Sequence, residues 1–184
     1  MKVVLCSGHM IDAPDRREPR FPPSKEARVR ERIAAQLDAW QVGPGDVAIS
    51  GGARGADILF SEEALKRGAR GLLLVALPED EYLDASVRLP GSDWEARYHA
   101  LRAKCETRFQ HEVLGPVPEG MNVFARNNLW LIETARELAA DRDIYALLVW
   151  DEKPTGDGPG GTSDFAGRIA EGGGHVAIIN PLGL

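Results

Sequence analysis

The chain has 184 residues, of which 43% are apolar and 27% charged, a balance that fits one soluble globular domain with a substantial core. Its net charge of −6 speaks against a nucleic-acid backbone as the main partner, because phosphate tracking needs a basic surface; a local basic pocket for one small anion stays compatible. Cys6 and Cys105 are the only cysteines, too few for a disulfide framework or a zinc site, and no stretch approaches the ~18 apolar residues of a membrane-spanning helix.

Taken in order, short apolar runs alternate with longer helical patterns. Residues 2–6, 46–50, 70–76, 144–150 and 175–180 are five strand candidates, near-continuous apolar runs of the kind expected when both sheet faces are covered. Helical spacing fills 24–40, 55–68, 92–112, 124–141 and 162–172; in the first, Val29, Ile33, Leu37 and Trp40 form one stripe. The alternation predicts an α/β fold: a doubly wound, parallel, five-stranded Rossmann-like sheet in the order 3-2-1-4-5, with helices on both faces. The whole chain, 1–184, reads as a single domain, with an irregular insertion or lid at about 77–123. The opening MKVVLCSGH is too short for a signal-peptide core, so a cytoplasmic location is expected.

Ligands of such sheets sit beyond the strand carboxyl ends, where the strand order reverses, so the loops after the first, second and fourth strands are the places to search. After the second strand stands Ser50-Gly51-Gly52-Ala53-Arg54-Gly55-Ala56-Asp57, opening a helix. Glycines permit positive φ and close backbone approach, and a helix start offers unpaired N–H groups to an anion. Arg54 can add a charge-assisted contact, while Asp57 suits the first helical turn. A tight strand-to-helix turn explains the same residues without a ligand, and neither the dinucleotide fingerprint nor a Walker loop is present.

After the fourth strand, Gly156, Gly158, Gly160 and Gly161 precede Thr162, Ser163 and Asp164. The two hydroxyls can cap the helix or meet phosphate, and Asp164 can complement the helix dipole, accept a sugar hydroxyl or act as a base. After the first strand come Gly8 and His9, then a run containing Arg16, Arg17 and Arg20, one of which can swing over an anion. His9, His99, His111 and His175 show no metal spacing, so no metal and no cofactor are expected. Core packing accounts for Trp40, Trp94, Trp130 and Trp150, with Trp94 also a candidate base-stacking lid.

The pair of motifs SGGARGAD and GPGGTSDF resembles the SMF/DprA–LOG (SLOG) superfamily of Rossmann-like proteins, and the chain looks like an uncharacterised branch of it. That resemblance implies a nucleotide-derived phosphate ligand and a place in nucleotide signalling. The related Lonely Guy phosphoribohydrolases hydrolyse the N-glycosidic bond of nucleoside 5′-monophosphates, using a PGGxGTxxE motif and an arginine at a helix start. Arg126 stands where that arginine is expected, but Phe165 stands where the family has its glutamate. Asp164 is one residue early, about 100° round a helix, and Asp157 or Glu133 are other carboxylates. Three readings follow: a nucleotide sensor without turnover, an N-glycosidase acting on nucleoside 5′-monophosphates through Arg126 and Asp164, and a single-stranded DNA binder, which the acidic charge disfavours. Self-association as a homodimer is compatible with all three; nothing in the residues argues for it directly.

Overall fold

A computed structural model describes residues 1–140, 144–153, 162–171 and 174–184. In chain order the elements are β1 (Val3–Gly8), α1 (Glu26–Ala39), β2 (Val47–Ser50), α2 (Ala56–Lys66), β3 (Arg70–Val75), α3 (Glu79–Tyr82) running into a π turn over Leu83–Val87, α4 (Trp94–Arg102), β4 (Glu106–Phe109), α5 (Gln110–Leu114), α6 (Val123–Ala139), β5 (Ile144–Val149), α7 (Thr162–Glu171) and β6 (His175–Ile179). All sheet pairings are parallel, in the order β4-β3-β2-β1-β5-β6.

The sheet is therefore six-stranded, and the expectation of five strands ordered 3-2-1-4-5 is corrected. The five anticipated strands keep their relative order, and β4 is added at the β3 edge through the pairs Leu72↔Glu106 to Val75↔Phe109. The 92–112 stretch, expected to be one helix, is split by it. Its sequence, Glu-Thr-Arg-Phe, alternates exposed with half-buried residues, as an edge strand does. Four such residues between helical segments carry too little apolar signal to register as a strand.

Alternation along the central strands explains why they read as continuous apolar runs. In β1, Val4 and Cys6 face a core built with Val29, Ile33 and Leu37 of α1, with α2 and with α4. Val3 and Leu5 face the opposite core, built with Trp130 and Leu131 of α6 and with Phe165 and Ile169 of α7. Both sets are buried, so no polar face appears. On the first of these faces Arg97 of α4 joins Glu26 of α1 (2.9 Å) and Glu62 of α2 (2.8 Å), tying three helices together. Asn122 starts α6 as a side-chain cap, accepting the N–H groups of Phe124 (2.9 Å) and Ala125 (3.0 Å). No helix among the described residues is long and apolar enough to cross a membrane.

Segment 77–123 supplies α3, the π turn, α4, β4 and α5. Its π turn reaches the second-strand loop, where Arg54 N–H donates to the Ser86 carbonyl at 2.9 Å. Trp94 is buried, with the Arg97 guanidinium 3.9 Å above its ring, so it packs a core and is not a lid over a ligand.

Candidate functional site at the strand-order switch

β1 lies between β2 and β5, and the chain leaves its two sides in opposite directions, so the crevice opens at the carboxyl ends of β1 and β5. Two glycines close the backbone around it. A Cβ at Gly8 would lie 2.6 Å from Ala56 Cβ and 2.8 Å from the Val149 carbonyl oxygen. A Cβ at Gly55, whose φ is +91°, would lie 2.6 Å from Ile11 N and 2.9 Å from the His9 carbonyl oxygen. The close approach that these glycines permit is thus between the loops after β1 and β2. Ala56 N–H donates to His9 O at 3.3 Å, which fixes the first loop on the start of α2.

Backbone N–H of His9 donates to Val149 O at 2.8 Å, and its ring Nε2 lies 2.9 Å from Asp151 Oδ1 just past β5. The two side chains are 9% and 1% exposed. Burial works to raise the Asp151 pKa, but the His9 hydrogen bond and charge, the Lys153 N–H and the Arg20 charge together hold it below the usual carboxylate value. His9 and Asp151 therefore pin the β1 and β5 loops together across the switch point. Asp151 carried no expected role; the register Gly8↔Val149 shows what signal was there, a histidine and an acid just beyond two strand ends.

His9 also lines a cleft of about 290 Å³ whose walls are the 9–16 loop, Arg20 and Arg54. Three guanidiniums, Arg16, Arg20 and Arg54, face it against two carboxylates, Asp12 and Asp15, a local cationic excess on an acidic chain. Asp12 Oδ2 accepts the N–H groups of Arg20 (2.9 Å) and Phe21 (3.0 Å), folding the arginine loop back on itself. Arg54 is half-buried, and burial lowers its pKa. Its Nε donates to Ile11 O (3.3 Å) and its Nη1 to Arg88 O (3.2 Å). Among the described residues it joins no ion pair, and its Nη2 has no hydrogen-bond acceptor.

The other half of the SGGARGAD turn is arranged differently. The N–H groups of Gly51, Gly52 and Ala53 are turned toward the Asp57 carboxyl, with Ala53 N 3.3 Å from Oδ2. Gly51 and Gly52 are buried, Gly51 against Asp57 and Tyr82 and Gly52 against the Tyr98 ring. Tyr82 hydroxyl donates to Gly51 O at 2.7 Å. Burial raises the Asp57 pKa from 3.8 to about 7, the three N–H groups countering it only in part. The expected anion nest thus holds an internal carboxyl, and Gly51, Gly52 and Asp57 do not line the cleft that His9 and Arg54 share.

Of the remaining candidates, Gly160 and Gly161 lie outside the described residues, as does Asp157. Thr162 is buried at the start of α7; Ser163 and Asp164 follow it in the helix, and their side chains are likewise outside the description. Arg126, the candidate catalytic arginine, donates Nη1 to the carbonyls of Gly115 (2.9 Å) and Pro116 (3.0 Å) and Nη2 to that of Leu114 (2.6 Å), bracing the loop after α5. Phe165 is fully buried in the α6–α7 core.

No protein-family model matches the chain, and no curated protein matches it. Among solved structures it is similar to DNA processing protein A (DprA) from Streptococcus pneumoniae, with 17% identity and a TM-score of 0.42, covering 96% of this chain and 58% of that one. It is similar to TM1055, a structural genomics target, with 16% identity, a TM-score of 0.44 and coverage of 96% and 72%. It is also similar to Moco carrier protein from Chlamydomonas reinhardtii, with 11% identity, a TM-score of 0.38 and coverage of 99% and 91%. The chain spans little more than half of that DprA chain. A likeness at this level says nothing about chemistry.

Proposed function

We propose that this chain binds a nucleotide or nucleotide-derived phosphate ligand in the switch-point cleft, as a sensing or signalling module without turnover. The observation that carries the reading is Arg54. A half-buried guanidinium with no carboxylate partner among the described residues, in a chain with 28 acidic residues, is a cation held for an anion from outside. Arg16 and Arg20 on the same cleft add to its field. Two features favour binding over N-glycosidase chemistry: Phe165 occupies the expected glutamate position with its ring in the core, and Arg126 is committed to three carbonyls.

Calorimetric titration of the chain with ribonucleoside 5′-monophosphates tests this, with chromatography of the recovered nucleotide. Saturable binding and intact nucleotide are expected. Arg54→Ala should weaken binding by about 1.5–3 kcal/mol, roughly 10- to 100-fold, the worth of a hydrogen bond to a charged group. Arg54→Lys, which keeps the charge, should lose less. Unchanged affinity in Arg54→Ala would refute the placement of the ligand, and release of free base would replace the sensor with a glycosidase.

A further inference from the structure

The two edges of the sheet differ in kind. β4 ends one side, and its exposed positions carry Glu106 and Arg108, which pair with each other at 2.6 Å. Charged side chains along an edge deter a further strand from adding to it. β6 ends the other side, with β5 as its one strand neighbour among the described residues. From His175 to Leu184 there is no Asp, Glu, Lys or Arg, in a chain that is 27% charged. Ala177 and Ile179 alternate onto the face covered by α1, where Ile179 is in the core. Val176 and Ile178 take the other face and are 38% and 43% exposed, although both are apolar and β-branched.

That edge defines its occupant. A β-strand is needed to take up the backbone groups, with apolar side chains at alternate positions on one face. A second β6 supplies both, and the pairing sets no like charges against each other. We propose that two copies of this chain associate through β6, antiparallel across a two-fold axis centred on Ala177, so that their sheets become continuous. This centring overlaps the strands over their full length and sets Val176 of each copy opposite Ile178 of the other. A register shifted by two residues either way sets one of these side chains against Gly174 or Asn180 instead. The charged β4 edge does not take part, so assembly closes at two copies. The axis stands perpendicular to the sheet, so the strand carboxyl ends of the copies point in opposite directions and both arginine clefts stay open. A five-residue edge is small beside stable interfaces, so the dimer is weak, with a dissociation constant on the order of 10–100 µM. The association depends on the fold alone and not on any ligand.

Sedimentation equilibrium of the full chain from roughly 5 to 500 µM should show a reversible monomer–dimer equilibrium. Ile178→Lys places a charge at the pairing edge without touching the core, and should weaken the dimer about tenfold or more. Val113→Lys, at an exposed apolar site on α5 beside the β4 edge, should leave it unchanged. Mild oxidation reads the register. Ala177→Cys sets two thiols directly opposite across the axis, with Cα atoms about 4.5–5.5 Å apart, and should cross-link. Ile178→Cys sets them on the diagonal, about 7–8 Å apart, and should cross-link poorly. A wild type that stays monomeric at the highest concentration overturns the inference. So does a dimer that Ile178→Lys leaves intact, an assembly that grows beyond two copies, or equal cross-linking at 177 and 178. If a lysine variant fails to fold, the wild-type sedimentation and the two cysteine variants still decide.

Discussion

Asp57 shows how one carboxyl links a turn to solution pH. It is buried beneath the glycine turn and keeps its proton up to about pH 7, whereas its ordinary value is 3.8. Between those values the folded chain holds a proton that the unfolded chain has released. The stability this proton contributes is complete below about pH 4 and is lost as pH rises through about 7. The carboxylates held low by partners, Glu62 and Asp151 among them, act in the opposite sense and below that range. Urea unfolding at pH 5 and pH 8 should therefore find the wild type less stable at the higher pH by a margin that shrinks in Asp57→Asn. An equal margin in both proteins would show that another group titrates there.

Glycines at the ends of β1 and β2 do at the element scale what the acids and arginines of the cleft do at the residue scale. Gly55 has φ +91° and no room for a Cβ beside the backbone of Ile11 and His9. Gly55→Ala is expected to cost about 1–3 kcal/mol in backbone strain, with the overlap adding to it. Gly167 sits in α7 with nothing within 4 Å of its would-be Cβ. Gly167→Ala should be neutral or stabilising by up to about 1 kcal/mol, as expected inside a helix. Chemical denaturation of the two variants separates a glycine required by loop packing from one that is not. Similar losses in both would disprove the distinction.

Sheet order sets the pattern of stability over the whole molecule. β1 is paired on both sides and covered on both faces, while β4 and β6 each have one neighbour in the sheet. Native-state hydrogen exchange should be slowest in β1 and β5 and markedly faster in β4, whose residues alternate exposed and half-buried. Protection of β4 equal to that of β1 would mean that its open edge is covered in solution. The arginine cleft is walled by the loop after β1 and by Arg54 of the loop after β2, so a ligand there would sit beside the most stable part of the sheet.

The amino-acid sequence by itself determined the α/β class, five of the strands and their relative order. Doubly covered strands are apolar throughout, and parallel connections allow few topologies, so neither needs knowledge of the partner. That the loops after β1 and β2, with His9 and Arg54, leave carboxyl ends of parallel strands was legible for the same reason. Only the tertiary structure decided the rest. β4 forms because β3 presents it with a hydrogen-bonding edge, which four mixed residues do not announce. Asp57 turns out to face the amides of Gly51, Gly52 and Ala53, and Arg126 three carbonyls of another loop. Whether a polar group meets a partner inside the chain depends on distances in space between residues far apart in sequence. That is why Arg54 stands out only after folding, as a half-buried cation to which the described residues offer carbonyls but no carboxylate.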